Sequence, residues 1–256
     1  MILLHFALQA TAPVADDPRY RSCIELAVND PKAAIDAAER FRFAGGGARA
    51  RQCLGLAYAQ QSRWVEAANA FTQAAQDADG AKDLLAARYW SQAGNAWLAA
   101  GEANKAYDAL STALTAGTLE GQDKGEALLD RARALVAAGR LSAARTDLDV
   151  ALEAVPADPL AWLLSATLAR RTNDMPRAQT DIAQALKLSA DDASVQLEAG
   201  NIAARGGDVD AAKAAWQQTV RIAPTSPAGQ NARAALAQFD DAPAPVPAAT
   251  VKPATK

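Results

Sequence analysis

The sequence is poor in the residue types that most catalytic and metal sites require. Its 256 residues include one histidine, His5, and two cysteines, Cys23 and Cys53, which do not form a CxxC motif. The scarcity of histidine excludes catalytic triads and most imidazole-ligated metal sites, and the isolated cysteines fit neither a zinc site nor a dithiol redox motif. We therefore expect no metal, no cofactor and no enzymatic activity.

Strong net charge, aromatic residues and long apolar runs are also lacking. A net charge of −3 provides no bulk attraction to nucleic acid or to an anionic membrane, and no segment approaches the ~18 uninterrupted apolar residues that cross a bilayer. Half of the residues are apolar, but only 5% are aromatic. Because much of the apolar fraction is alanine, the composition favours closely packed helices over a single core of large side chains.

The first residues carry part of the pattern of a secretory signal peptide. An apolar run from Ile2 to Leu8 precedes the small-x-small sequence Ala10-Thr11-Ala12, but no basic residues precede the run. We expect residues 1–15 to be either a signal peptide or a disordered apolar terminus. A signal peptide would place the protein in the periplasm of a bacterium or outside the cell, and without one the protein would be cytoplasmic.

The most informative feature is an internal repeat. Five segments align when they are stepped by 34 to 39 residues, and they start near Ala48, Ala87, Gly125, Pro159 and Ala193. The twentieth place of each segment is an alanine: Ala67, Ala106, Ala144, Ala178 and Ala212. The twenty-fourth place is a large apolar residue: Phe71, Leu110, Leu148, Ile182 and Trp216. The pattern predicts stacked helical hairpins, in which glycine or alanine at the eighth and twentieth places lets two helices approach to about 8–10 Å.

Signals for helix starts divide the chain into elements. Asp17-Pro18 and Asp158-Pro159 each place an N-cap acceptor before a proline at the first helical position. We predict an opening hairpin over about 18–44, five fuller hairpins over 48–225 and a capping helix over about 227–239. Together they make one repeat domain over 16–239, which a disordered Pro/Ala-rich tail over 240–256 follows.

The first helix of the second hairpin completes a recognisable pattern. Leu54-Gly55-Leu56-Ala57-Tyr58 has the Leu-Gly-x-x-Tyr spacing, and Trp90 and Trp162 occupy the fourth place of their segments. With the alanine and large apolar places, these residues resemble the tetratricopeptide repeat family over roughly residues 18–225. The resemblance implies an all-α, right-handed superhelical solenoid of antiparallel helix hairpins with a capping helix. It also implies a protein–protein interaction scaffold rather than an enzyme.

The resemblance further implies that the first helix of each hairpin lines a concave groove in which a peptide or protein segment binds. The groove-facing places are the second, fifth, ninth, twelfth and thirteenth of each segment, and we call the surface that they form the first-helix face. Its candidate partner-binding residues are Arg49, Gln52, Arg88, Ser91, Asn95, Arg133, Thr167, Arg170, Arg171, Asn201 and Arg205.

Arginine predominates among these candidates, with six arginines against one glutamate, Glu126, at the same places. Because arginine pairs with carboxylates through two parallel hydrogen bonds, one interpretation is a partner with acidic groups. The other is that arginine is simply the usual cation of this chain, since each exposed pairing contributes only ~0–1 kcal/mol. A two-carboxylate clamp, which binds chaperone C-termini in some members of the family, is absent. Ser91, Asp130 and Leu160 stand where it needs lysine, asparagine and lysine.

The two cysteines leave two interpretations open. Cys23 and Cys53 occupy the same sixth place in the first two hairpins if the opening hairpin is aligned by Ala37, Phe41 and Ala44. Equivalent residues on stacked helices lie about 8–10 Å apart, beyond the ~7 Å between Cα atoms that a disulfide spans. A shorter first repeat would bring them closer. The pair is then either a disulfide that fastens the terminal hairpin or two buried thiols.

Two functions are compatible with the sequence. The first is a non-enzymatic scaffold that binds a protein or peptide in the groove, with neither nucleic acid as a partner nor a membrane span. The alternative is a structural, self-associating component of a cell-envelope assembly. A molecular mass that depends on protein concentration distinguishes the alternative from the first.

Overall fold

The computed structural model describes residues 17–240, and almost all of these residues are helical. In chain order the helices are α1 (Pro18–Asn29), α2 (Pro31–Phe43), α3 (Gly47–Gln60), α4 (Trp64–Gly80), α5 (Ala86–Ala99), α6 (Ala103–Thr115), α7 (Gly121–Ala137), α8 (Leu141–Ala154), α9 (Pro159–Arg171), α10 (Met175–Leu188), α11 (Ala193–Arg205), α12 (Val209–Ile222) and α13 (Pro227–Asp240). Residues 17–240 contain no strand, and the predicted all-α fold is confirmed. The predicted signal segment, 1–15, and all but the first residue of the predicted tail, 240–256, lie outside the described residues.

Aspartate side chains cap three of the helices that begin with proline: α1, α2 and α9. Asp17 caps α1 by accepting a hydrogen bond from the Arg19 amide at 2.9 Å, and Asp158 caps α9 by accepting one from the Leu160 amide at 2.8 Å. Asp30 caps α2 in the same way. Proline suits the position after the cap, because it has no N–H to leave unsatisfied and its fixed φ is already helical. The helix starts predicted from these pairs are confirmed.

The described residues form two compact units. The first comprises residues 17–188, with helices α1 to α10. Its consecutive helices pack as hairpins, and first helices also contact one another: α1 with α3, α5 with α7, and α7 with α9. The second comprises residues 189–240, where α11 and α12 pack as a hairpin and α13 packs against both. The single repeat domain over 16–239 stays a prediction.

Small residues face a large one within each hairpin. The alanines at the twentieth place are completely buried: Ala67, Ala106, Ala144, Ala178 and Ala212. Gly55 of α3 lies against Phe71 of α4, where an added Cβ would be 2.6 Å from the ring, and Gly94 faces Leu110 in the same manner. The eighth place therefore faces the twenty-fourth across the hairpin, which confirms the packing that the repeat predicts.

A disulfide joins Cys23 of α1 to Cys53 of α3, with the Cα atoms 6.1 Å apart. The separation of about 8–10 Å expected from helix spacing is therefore wrong for this pair. The opening hairpin is compact because a single residue, Asp30, separates α1 from α2. Two small residues, Ala27 and Ala34, belong to the same buried cluster as the cysteines and allow the close approach. The bond fastens the terminal hairpin to the next one.

An ion network joins hairpin α7–α8 to hairpin α9–α10. Arg131 of α7 donates two hydrogen bonds, of 2.8 and 2.7 Å, to Asp147 of α8, whose side chain is 8% exposed. Arg177 of α10 pairs with Asp149 of α8 and with Asp181 of its own helix. Because an unpaired charge in a buried site costs several kcal/mol, the buried carboxylates of Asp147 and Asp181 depend on their arginines.

Candidate functional site

Side chains on the first-helix face form hydrogen bonds from one first helix to the next. Tyr20 of α1 donates its hydroxyl hydrogen to Gln52 of α3 at 2.6 Å, and the Gln52 amide nitrogen donates to Gln92 of α5 at 3.1 Å. Gln52 is one of the predicted partner-binding residues. The structure places it in the middle of a link that spans three helices.

Two further links, which we call the rungs, join α5 to α7. Arg88 Nη2 lies 2.7 Å from Asp123 Oδ2, and Asn95 Nδ2 donates to Asp130 Oδ2 at 2.6 Å. Arg133 Nη1 also donates to Asp130, at 2.8 Å. Within each helix the rung residues are about two turns apart, so both rungs lie on one face. The structure thus brings together three of the predicted residues, Arg88, Asn95 and Arg133.

The rungs alter the charge expected for this part of the face. Arg88 and Arg133 are each paired with a carboxylate, Asp123 or Asp130, that the candidate residues do not include. Asp123 escapes the repeat alignment because α7 begins at Gly121, one helical turn before the start that the alignment gives. This part of the face therefore carries no excess of positive charge.

Two buried polar atoms beside the rungs have no hydrogen-bond partner among residues 17–240. They are the hydroxyl oxygen of Ser91 and the amide oxygen of Asn95. Both residues are half-buried on α5, and Ser91 lies between the two rungs, since it falls between Arg88 and Asn95 on the same helix. A buried polar group without a hydrogen bond costs roughly 1–3 kcal/mol, so a ligand that offers hydrogen bonds is favoured here.

Glu126 lies between the rungs on the side of α7. Its side chain remains accessible to solvent, and Gln122 Nε2 donates to its Oε1 at 2.8 Å. Partial burial raises the pKa of the Glu126 carboxyl, the Gln122 hydrogen bond lowers it, and the neighbouring carboxylates of Asp123, Asp130 and Asp158 raise it. Negative charge is therefore concentrated at this point of the face.

Other predicted residues lie on either side of the rungs. Arg49 of α3 lies near two phenols: burial raises the pKa of the Tyr20 and Tyr89 hydroxyls, and the positive charge of Arg49 opposes the rise. The remaining predicted residues of the first unit are on α9: Thr167 and Arg170 are half-buried, and Arg171 is exposed. Both arginines belong to the last turn of α9, where a cation complements the helix dipole.

Two predicted residues belong to the second unit. Asn201 accepts a hydrogen bond from the Trp216 indole nitrogen at 3.2 Å and donates to Glu198 at 3.3 Å, so its side chain is held within the α11–α12 hairpin. Arg205 is exposed at the end of α11. None of the helices within residues 17–240 combines the length and apolarity that crossing a bilayer requires.

Comparison with known families decides the identity of the repeat. Two sequence models described as tetratricopeptide repeat match this chain, one over residues 125–168 and the other over residues 163–227. Residues 125–227 are therefore tetratricopeptide repeats. The tetratricopeptide signature inferred from the alanine and large apolar places is thereby confirmed.

Solved structures of other proteins share the tetratricopeptide fold of this chain. PilF of Pseudomonas aeruginosa is 17% identical, with 85% of this chain and 97% of that chain covered at a TM-score of 0.64. PilW, described as a widely conserved type IV pilus biogenesis factor, is 17% identical, with 84% and 99% covered and a TM-score of 0.68. YrrB, described as having an unusual peptide-binding site, is 17% identical, with 77% and 96% covered and a TM-score of 0.55. At these identities the likeness shows the fold alone, and no curated protein matches the chain in sequence.

Proposed function

We propose that this tetratricopeptide repeat protein is a non-enzymatic scaffold that binds a peptide or protein segment along the first-helix face. The observation that carries the proposal is the pair of rungs between α5 and α7, with the partnerless Ser91 hydroxyl and Asn95 amide oxygen beside them. The rungs fix polar side chains before a ligand arrives, and binding to a surface that is already ordered loses less conformational entropy.

An extended segment supplies the groups that this surface lacks. Its backbone N–H groups are donors that suit the Asn95 amide oxygen, and its carbonyls are acceptors that suit the Ser91 hydroxyl. Acidic groups on the partner would compete with Asp123 and Asp130 for Arg88 and Arg133. The acidic partner expected from the arginine count therefore stays a prediction.

Photocrosslinking in living cells tests the proposed face. Photoreactive residues replace Ser91, Asn95 and Thr167 in turn, with Thr146 on second helix α8 as the control, and each protein must keep its helical circular dichroism. We expect one partner to be captured from the first-helix positions and not from Thr146. Equal capture from Thr146 would contradict the proposal.

We also propose that the protein is exported, to the periplasm of a bacterium or outside the cell. The disulfide between Cys23 and Cys53 supports this location, because disulfides persist in oxidising compartments and are rare in the cytosol. The signal-like residues 1–15 are consistent with it and lie outside the described residues. Thiol labelling of the protein taken directly from cells distinguishes the locations, since a cytoplasmic pool would carry both cysteines as reactive thiols after unfolding.

The alternative function, self-association in an envelope assembly, has one observation in its favour. Phe43, at the end of α2, and Leu84, between α4 and α5, are 80% and 77% exposed, so both large apolar side chains are available for contact with a second copy. Sedimentation equilibrium decides the matter. Self-association predicts a mass that rises with concentration and falls to the monomer in a Phe43→Ser, Leu84→Ser variant, whereas a constant monomer mass excludes it.

A further inference from the structure

We propose that the space between the two rungs takes a basic side chain, a lysine or an arginine, of the bound segment. The inference rests on the proposed function and specifies the chemistry of its partner at one position. It also reverses, for this part of the first-helix face, the acidic partner that the arginine count favours.

The geometry defines three acceptor groups within one small area. Glu126 of α7 is one turn from Asp123 and one turn from Asp130, which are the α7 ends of the rungs. On α5, the Ser91 hydroxyl lies between the rungs, and the Asn95 amide oxygen lies at the second one. The Asn95 amide nitrogen is already engaged with Asp130, so only its acceptor oxygen is available to a ligand.

The area between the rungs has an excess of negative charge. Asp123 is neutralised by Arg88, and Asp130 by Arg133, at 2.7 and 2.8 Å. Within residues 17–240 Glu126 has no cation as a partner; its hydrogen bond comes from the neutral amide of Gln122. Partial burial, and after it the carboxylates of Asp123, Asp130 and Asp158, raise the pKa of Glu126, and a bound cation would relieve the repulsion from these carboxylates.

A basic side chain supplies both the hydrogen-bond donors and the positive charge that this area lacks. A backbone amide or a carboxylate does not supply both. A lysine ammonium offers three N–H donors and an arginine guanidinium five, with no acceptor. Such a group can pair with Glu126 and also donate to the Asn95 oxygen and the Ser91 hydroxyl. A backbone amide can satisfy the Asn95 oxygen alone, and a carboxylate would be repelled by Glu126 and Asp158.

Selection from a random dodecapeptide library displayed on phage tests the inference with the full chain. Selected peptides are then titrated against the wild type and three variants: Glu126→Gln, Asn95→Ala and, as a matched control, Glu153→Gln on α8. Glu126→Gln removes the charge and keeps the oxygen that accepts from Gln122, so its helical content and melting temperature should match the wild type. Glu153 is exposed on a second helix.

Three outcomes separate the inference from the proposed function. The inference is supported if the selected peptides share a lysine or arginine and their affinity falls about tenfold or more with Glu126→Gln but is unchanged with Glu153→Gln. A tenfold loss of affinity corresponds to about 1.4 kcal/mol. Peptides that weaken with Asn95→Ala but lack a basic residue, or are indifferent to Glu126→Gln, overturn it and leave the proposed function intact. Peptides insensitive to both Asn95→Ala and Glu126→Gln bind elsewhere and overturn both.

Discussion

At the residue scale, each hairpin depends on a contact between the eighth and twenty-fourth places. The Phe71 ring is completely buried and lies where a Cβ on Gly55 would be, so neither side can move away easily. We predict that Gly55→Ala lowers the free energy of unfolding by about 2 kcal/mol, because overpacking a filled core forces neighbouring side chains off their rotamers. Urea denaturation followed by circular dichroism measures the change.

Gly80 provides the control for this substitution. It also lies in a helix, at the end of α4, but nothing is within 4 Å of a Cβ placed there. Gly80→Ala should therefore leave stability unchanged or raise it by up to about 1 kcal/mol through helix propensity. Similar destabilisation by both alanines would mean that the contact with Phe71 is not what constrains Gly55.

Arg131 and Asp147 occupy the seventh and twenty-third places, where hairpin α3–α4 has Leu54 and Ala70. We predict that Arg131→Leu destabilises the protein by about 3 kcal/mol, because it leaves the buried Asp147 carboxylate unpaired. Adding Asp147→Ala should restore most of the loss, since the pair then matches the earlier hairpin. Thermal melting of the single and double variants measures this, and a double variant less stable than the single one would contradict it.

The repeat alone predicts the glycine, alanine and large apolar places, because spacing determines which residues face the partner helix. The ion pairs were not predicted, although the signal was present. Arg131 and Asp147 have the same spacing as Gly55 and Phe71, shifted by one residue. In hairpin α7–α8 the places one residue before the eighth and the twenty-fourth also face each other across the hairpin. The opposite charges at the seventh and twenty-third places, together with this packing, predict the ion pair.

At the element scale, helix boundaries account for the main errors. The repeat alignment starts the third segment at Gly125, but α7 begins at Gly121, and this extra turn contributes Asp123 to the first-helix face. Glycine is a weak signal for a helix start, so the spacing gave no reason to extend the helix. The cysteine distance was overestimated because an average helix spacing was applied to the compact opening hairpin.

The disulfide gives the opening hairpin a stability that its own contacts do not supply. Replacing Cys23 and Cys53 by alanine should destabilise that hairpin by about 3 kcal/mol in the chain-entropy account of a disulfide. Because each hairpin of a repeat array contacts only its neighbours, the loss should be local. Hydrogen exchange should accelerate in α1 and α2 and stay unchanged in α9 and α10.

The wild-type protein in reductant is the control for the alanine variant. The two should show the same exchange pattern in α1 and α2, since both lack the covalent link. If the oxidised wild type and the double alanine variant exchange at the same rates in these helices, the disulfide does not hold the terminal hairpin in place.

At the scale of the whole molecule, the net charge of −3 gives no information about the distribution of charge. Partial burial and then the surrounding carboxylates raise the pKa of Glu126, while Arg88 and Arg133 are paired with Asp123 and Asp130. The sequence predicted the fold and the helices that carry the face. The local sign of the charge depends on which side chains pair across helices, and spacing within one helix does not determine this.

Binding of a lysine-bearing peptide should weaken as pH falls from neutrality through the pKa of Glu126, which lies above the ordinary glutamate value of 4.5. A bound cation favours the ionised carboxylate, so protonation of Glu126 opposes binding. Anisotropy titrations of a selected peptide across this range measure the effect. The same peptide should lose this pH dependence with Glu126→Gln, and an unchanged profile would show that another group is responsible.

The most direct test of the central claim is hydrogen–deuterium exchange of the full chain with and without the captured partner segment, made as a synthetic peptide. Binding on the first-helix face predicts slower exchange in the first helices α3, α5 and α7, with no change in the second helices α4, α6 and α8. Protection confined to the second helices, or spread equally over both sets, would contradict the assignment of this face as the binding surface.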